Sequence, residues 1–366
     1  MKITFPHFGY TYLAVKAIFD GLGIDYIIPP INNKTAIEIG TKYSPEEICL
    51  PFKIMIGNYI QSIEQGADTI LIIGSCGPCR FGEYCELQKN ILKKLGYDLD
   101  IVVLDTPSAI GIKELLNRIY KISDMSKVST KEKLKTLYTA NKIINLLDRI
   151  EKNVHMRAGY EIKKGWYSKI FHDCINKAYK CNTPNSMLAL LEHYDGIIRK
   201  APIDNTKTPL KIAIIGEIYT IIEPFANLYI EDKLMEYEVC SYRRLSPSWW
   251  IKNTLLSIFN LNSIDIKKSS KKYIPLPIGG YAKECIGEAV IAKKNGFDGA
   301  IQIFPMGCMP EIVSKSILPS VSKDNDFPVM TLIVDEMTGE AGYMTRIEAF
   351  LDLLERRREK NVSHGS

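Results

Sequence analysis

Cysteine residues follow two apolar runs of the sequence at the points where those runs end. The run 69–73 breaks at Gly74 and leads into Cys76-Gly-Pro-Cys79. The run 300–304 leads to Cys308. Open α/β sheets bind ligands at the carboxyl ends of their parallel strands. Cys76, Cys79 and Cys308 therefore occupy positions where a ligand or a metal could bind.

The pair Cys76 and Cys79 has three interpretations. It is a dithiol redox pair if the first thiol begins a helix, half of a zinc site, or part of an iron–sulfur site, whose usual ligands are thiolates. The sequence has no second close pair of the kind that zinc sites use, and a redox pair alone does not account for the matching Cys308. Cys49 lies before Pro51 at a predicted helix start, where the helix dipole favours a thiolate.

Residues beside these cysteines suit a bound cluster. A cluster ligand needs a turning backbone that donates N–H groups to sulfur, and glycine provides it at Gly74, Gly77 and Gly307. Arg80 follows Cys79 and is interpreted as a hydrogen-bond donor to the cluster, as a residue that attracts an anionic substrate, or as a surface ion-pair partner. Glu311 begins the helix after Cys308, where an acid suits the helix dipole.

The composition is that of a soluble globular protein. Of the 366 residues, 46% are hydrophobic and 24% are charged, and the net charge is only +5. No basic block indicates nucleic acid binding, and no apolar run reaches the roughly 18 residues of a membrane span. The first residues look like a strand and not like a signal peptide. We therefore predict a cytoplasmic protein, in which nine cysteines favour metal binding or redox chemistry over disulfides.

The succession of elements predicts two α/β domains with a helical insert between them. Residues 1–107 begin with a strand, a helix and a second predicted strand at 25–29, which is typical of a parallel sheet, and 32–47 are predicted to be rich in loops. Between residues 108 and 205, strand-like runs disappear and apolar residues recur at helical spacing. Strands and helices alternate again over residues 206–366.

The two α/β parts share a pattern that predicts an internal repeat. Gln65-Gly-Ala-Asp68 precedes the first cysteine run, and Asn295-Gly-Phe-Asp298 precedes the second. A proline follows two residues after Cys76 and two residues after Cys308. We therefore expect two similar domains, flavodoxin-like or Rossmann-like, whose cysteines face a common cleft.

Motifs in both α/β parts resemble the 2-hydroxyacyl-CoA dehydratase family, which includes the benzoyl-CoA reductase subunits. The resemblance is greatest to the single-chain branch related to acyl-CoA dehydratase activases. The motifs of the first part are Cys49-Leu-Pro-Phe-Lys53, Glu64-Gln-Gly-Ala-Asp68, Gly74-Ser-Cys-Gly-Pro-Cys-Arg-Phe-Gly82 and Glu86-Leu-Gln88. Those of the second part are Gly296-Phe-Asp-Gly299, Cys308-Met-Pro-Glu-Ile-Val313, Lys315-Ser-Ile-Leu-Pro319 and Asp335-Glu-Met-Thr-Gly-Glu-Ala-Gly342.

The resemblance implies an oxygen-sensitive iron–sulfur protein of anaerobic metabolism. Its electrons would come from an ATP-dependent activase of the actin/Hsp70 superfamily, and the chain itself has no G-x-x-x-x-G-K-[ST] nucleotide loop. The implied ligands of a [4Fe-4S] cluster are Cys49, Cys76, Cys79 and Cys308. Some relatives hold a double-cubane cluster, for which Cys85 and Cys285 are the additional candidates.

The implied reaction is dehydration of a 2-hydroxyacyl-CoA through a ketyl radical, with an acyl-CoA as the substrate and a homo-oligomer as a possible assembly. One alternative is a double-cubane reductase that acts on a small molecule. Another is a non-catalytic electron relay or cluster carrier, because both α/β parts lie in one chain and four thiolates would close a cubane completely. A zinc-stapled α/β binding protein is the alternative without redox chemistry.

Overall fold

The computed structural model describes residues 1–74, 84–104, 110–257, 261–276 and 278–363. Within them, strands β1 to β7 are Ile3–Thr4, Thr69–Ile73, Asp100–Leu104, Lys211–Gly216, Cys240–Arg243, Gly299–Pro305 and Val329–Val334. Helices α1 to α8 are Thr11–Leu22, Lys34–Tyr43, Leu50–Glu64, Tyr84–Lys94, Ile112–Ser123, Thr130–Arg157, Trp166–Tyr179 and Pro184–Lys200. Helices α9 to α15 are Ile218–Ile222, Ile230–Glu236, Pro247–Ser257, Ile264–Ser270, Ala282–Lys294, Met309–Asn325 and Glu340–Ser363.

Both sheets are parallel. In the first sheet, β2 pairs with β1 on one side and with β3 on the other, and Tyr26 adds a single parallel bridge to Ile3 of β1. The second sheet has the order β5-β4-β6-β7. If the bridge at Tyr26 is counted, both sheets follow the first four positions of the flavodoxin-like order 2-1-3-4-5. The predicted α/β fold with two parallel sheets is confirmed.

The second sheet is covered by helices. Every residue of β6 is buried, as expected for a parallel strand that is covered on both faces. Helix α13 packs Ile286 and Ala289 into a cluster with Ala300 of β6 and Leu318 of α14. The sheet therefore holds the ends of β4 and β6 in fixed positions, and the segments that follow these strands carry the polar residues described below.

The described chain forms two compact units. Unit 1 comprises Met1–Ile150, His172–Ile197 and Pro247–Asn262, and unit 2 comprises Glu151–Phe171, Ile198–Ser246 and Ser263–Ser366. The segment 108–205 contains helices α5 to α8, and its residues belong to both units. In the part of the chain that the structure describes, no helix is long and apolar enough to cross a membrane.

Two predicted elements of unit 1 are wrong. Residues 25–29 form only the bridge at Tyr26, since Pro29 and Pro30 have no N–H group for a longer ladder. The predicted loop at 32–47 contains helix α2, which begins after Asn33. The Asn33 side chain accepts a hydrogen bond from the N–H of Ala36 at 2.9 Å and so caps the first turn.

Replacing Asn33 with alanine is expected to lower the free energy of unfolding by about 1 kcal/mol, because an N–H group of the first turn loses its acceptor. Chemical denaturation of the full chain measures this loss. Asn33→Asp is the control, since it keeps the acceptor and adds a favourable charge at the helix start. An Asp variant as unstable as the Ala variant would contradict the assigned cap.

Candidate functional site

Cys49 is the N-cap residue of α3. Its φ of −66° and ψ of 150° are extended, and its side chain makes no capping hydrogen bond. Pro51 lies in the first turn, where the absence of an N–H group is tolerated. The Cys49 thiol is half-buried and contacts the hydroxyl group of Tyr84. The sulfur atom therefore has a polar partner outside its own helix.

Tyr84 is the first residue of α4, so it directly follows the segment 75–83. The predicted site residues Cys76, Gly77, Cys79 and Arg80 belong to this segment and lie outside the described residues. Gly74, just before it, is buried, and its N–H donates to the carbonyl of Leu104 at 2.7 Å. In the chain, the segment 75–83 therefore connects Gly74, which follows β2, with Tyr84, which contacts Cys49.

Cys308 repeats the local structure of Cys49 in unit 2. After β6 the chain turns at Gly307, whose φ of 78° favours glycine. Cys308 is the N-cap residue of α14, its side chain makes no capping hydrogen bond, and Pro310 lies in the first turn. The residue is buried, with 7% of its surface exposed.

The shared placement of Cys49 and Cys308 fits thiolate ligands. The N-terminus of a helix carries a partial positive charge, which stabilises a thiolate and lowers its pKa. Thiolates are the ligands that hold iron–sulfur clusters. Cys308 and Cys76 share a following proline in the sequence, and in the structure Cys49 and Cys308 are both N-cap residues of a Cys-x-Pro helix start.

Three further cysteines are core thiols. Burial raises the pKa of Cys240 to about 11 and that of Cys174 to about 12. Burial also raises the pKa of Cys285 well above its usual value, and the neighbouring Glu311 raises it further. Without a metal, such thiols favour the protonated form. Of the two additional candidates for a double-cubane cluster, Cys285 is completely buried in the core, whereas Cys85 is half-buried.

A second polar group of unit 2 was not foreseen from the sequence. Among the described residues, Glu151, His155 and Glu231 are the one set of three whose ligand atoms all lie within 4.8 Å of one another, close enough to hold a metal ion. Arg243, however, binds both carboxylates: its Nε lies 2.8 Å from Glu231, and its guanidinium also contacts Glu151. Nδ1 of His155 lies 3.1 Å from Glu231. We interpret the group as a buried ion-pair network.

No protein-family model matches the chain, and no curated protein matches it significantly.

Proposed function

We propose that the chain is an iron–sulfur protein that receives low-potential electrons from an ATP-dependent activase. Cys49, Cys76, Cys79 and Cys308 would be the ligands of a [4Fe-4S] cluster. The observation that carries the proposal is the common placement of Cys49 and Cys308, each the N-cap residue of a helix that begins with x-Pro. The contact between Cys49 and Tyr84 adds support, because Tyr84 adjoins the segment with the other two cysteines.

A bound cluster would supply one-electron transfer, and the chain would supply its thiolates and the positive ends of two helix dipoles. The position of Cys285 in the core favours a single cubane over a double one. The family resemblance supports reductive chemistry, with 2-hydroxyacyl-CoA dehydration as the reaction that we propose. In that reaction the chain would be the component that meets the acyl-CoA.

The surface near Cys308 suits an electron-donating partner. Met306 and Met309 flank Cys308 and are 63% and 45% exposed, and Met337, which follows β7, is 84% exposed. The parallel strands β6 and β7 end side by side at Pro305 and Val334. These methionines therefore lie at the carboxyl edge of the second sheet, where its strands end. Exposed methionines form adaptable apolar contacts, as a transient partner requires. We assign this edge to the activase.

The proposal predicts about four iron and four sulfide per chain in protein purified without oxygen. Cys49→Ser and Cys308→Ser should each lose most of both, because a serine hydroxyl does not replace a thiolate ligand. Iron, acid-labile sulfide and zinc would be assayed together, with circular dichroism to verify folding.

Cys181→Ser is the matched control, since this half-buried thiol only donates to the carbonyl of Lys177, at 3.6 Å, and should keep full iron content. Zinc without sulfide in the unaltered chain would refute the redox function. Full iron content in Cys308→Ser would remove this residue from the ligand set.

A further inference from the structure

Glutamate side chains occupy the interior of unit 2 next to the helix that Cys308 caps. Glu311 and Glu288 expose only 1% and 4% of their surface. From the sequence, Glu311 is expected only to suit a helix start, but in the structure it is buried in the first turn of α14. Because carboxyl groups are seldom buried without a charged partner, these two side chains need an explanation.

Glu311 has one firm hydrogen-bond donor. Nε2 of Gln302 donates to its Oε2 at 2.9 Å, and Gln302 is itself held by the Thr331 hydroxyl, which donates to its Oε1 at 3.0 Å. The Cys285 thiol lies against the same carboxyl group. Oε1 of Glu311 accepts no hydrogen bond from the described residues. One oxygen is therefore held in place, and the other is available to carry a proton.

Glu288 is more isolated. Neither of its carboxyl oxygens has a hydrogen-bond partner among the described residues. Arg244 is the nearby cation, but its guanidinium is engaged by Asp265 at 2.6 Å. An ionised carboxylate without hydrogen bonds in such a position would be very costly, whereas a neutral carboxylic acid is tolerated.

The surrounding charges are mostly negative. The groups that face Glu288 are Arg244, Glu284, Glu311, Asp265, Tyr242 and Cys285. The groups that face Glu311 are Gln302, Cys285, Glu217, Glu284 and Glu288. Burial raises the pKa of Glu311 to about 7 and that of Glu288 well above its usual range, even with Arg244 near. At pH 7 Glu311 is close to its midpoint, and burial favours the neutral form of Glu288.

The described glutamates do not converge as metal ligands do. The one group of ligand atoms in the described residues that lies within 4.8 Å is Glu151, His155 and Glu231, and it includes none of Glu217, Glu284, Glu288 and Glu311. A proton is a ligand that a single unsatisfied carboxyl oxygen can bind.

We infer that Glu288 and Glu311 form a buried proton-binding site that compensates the charge of an electron entering the centre at Cys308. This inference depends on the proposed function. One electron arrives from the donor, and one proton moves from water onto the Glu311 carboxylate; both leave when the electron is passed on. Glu311 lies three residues after Cys308 in the same helical turn, where an added negative charge favours the protonated acid. Glu288 stays neutral and keeps the site free of a second charge.

Infrared spectroscopy tests the bound proton without requiring a cluster. At pH 8 solvent-exposed glutamates are ionised, so a carbonyl stretch of a protonated carboxylic acid in the full chain reports a buried acid. The band should be present in the unaltered chain and weaker in Glu288→Gln, since burial also raises the pKa of Glu217 and of Glu284. Glu355→Gln, on the exposed face of α15, is the control and should keep the band. The absence of the band from the unaltered chain would overturn the site.

The reduction potential of the anaerobically purified protein tests the coupling. We expect the reduction potential to be independent of pH below about pH 7. Above pH 7 the potential should fall by up to about 59 mV per pH unit, which is the value for one proton and one electron. Glu311→Gln should make it independent of pH throughout, whereas Glu288→Gln and Glu355→Gln should keep the dependence.

The two measurements separate the failure of the site from the failure of the proposed function. A cluster-loaded protein whose potential does not change between pH 6 and 9 would overturn the coupling. If the chain binds no iron but shows the infrared band, the proposed function fails while the proton-binding site stands.

Discussion

Replacing Gly57 with alanine should lower the free energy of unfolding by roughly 3 kcal/mol or more, because it forces two helix backbones apart. A Cβ atom at Gly57 of α3 would lie 1.7 Å from the carbonyl oxygen of Ala36 in α2. Backbone atoms cannot rotate away as a side chain does, so one helix must shift as a whole. Chemical denaturation of the full chain, fitted for midpoint and slope, measures the loss.

The reciprocal contact, from α2 to α3, has the same geometry. A Cβ atom at Gly40 of α2 would lie 1.7 Å from the carbonyl oxygen of Lys53 in α3. In each helix the two contacting positions are four residues apart, 36 and 40 in α2 and 53 and 57 in α3, so they fall on one face. Gly40→Ala should therefore destabilise the chain to a similar degree.

A helix glycine without neighbours provides the control. Gly196 lies in α8, and a Cβ atom there would meet nothing within 4 Å. Gly196→Ala should leave stability unchanged or raise it by about 0.5–1 kcal/mol, because alanine loses less entropy in a helix. If Gly57→Ala unfolded at the same denaturant concentration as Gly196→Ala, the close approach of α2 and α3 would be refuted.

This contact also bears on the candidate site. Cys49 caps α3, so a shift of that helix moves the thiol away from Tyr84. We therefore expect Gly57→Ala to lose iron as well as stability if the proposed function holds. Gly196→Ala should keep both.

Strands β2, β4 and β6 were predictable because their residues are distinctive. Their runs are apolar and rich in isoleucine, and glycine or proline marks the end of each. Helix α2 was missed for the opposite reason. Its sequence contains few apolar residues, and Gly40 reads as a helix breaker. Gly40 lets the backbones of α2 and α3 approach closely, and this role is visible only once α3 is packed against α2.

The sequence singles out the cysteines as a candidate site, but it gives no sign of the buried charges. Cys49 and Cys308 each precede x-Pro, a signal that the sequence shows directly. Glu151 and His155 are four residues apart on α6, which places them on one helix face, but such pairs are common on surfaces. Glu231 and Arg243 join them from distant parts of the chain, so only the fold reveals the network.

The network consists of two acids and two bases that are almost completely buried. Burial alone would raise the pKa of Glu231, but the charges of His155 and Arg243 outweigh it and lower this pKa to about 2. Burial alone would lower the pKa of His155, but Glu231 outweighs it and raises this pKa above 6.5. The two negative carboxylates and the two positive side chains therefore stabilise one another.

Glu231→Gln should lower the free energy of unfolding by about 3–5 kcal/mol, since it leaves Arg243 and His155 buried with only Glu151 to neutralise them. The substitution keeps the size of the side chain, so the loss measures charge and not packing. Unfolding in denaturant at several pH values is the measurement. Glu340→Gln is the control, because Glu340 of α15 pairs with Lys233 of α10, the helix that carries Glu231, but is itself 70% exposed. It should leave the chain close to its original stability.

The pH dependence identifies the charges that act. The folded pKa of His155 is raised, so its contribution is complete below pH 6.5 and is lost as the pH rises through the folded value. The folded pKa of Glu231 is lowered, so its contribution is present above about pH 4.3 and is lost as the pH falls toward 2. Glu231→Gln should remove the acidic slope and weaken the alkaline slope, because His155 then keeps only Glu151 as an adjacent acid. If the variant kept the alkaline slope of the unaltered chain, the pairing of His155 with Glu231 would be wrong.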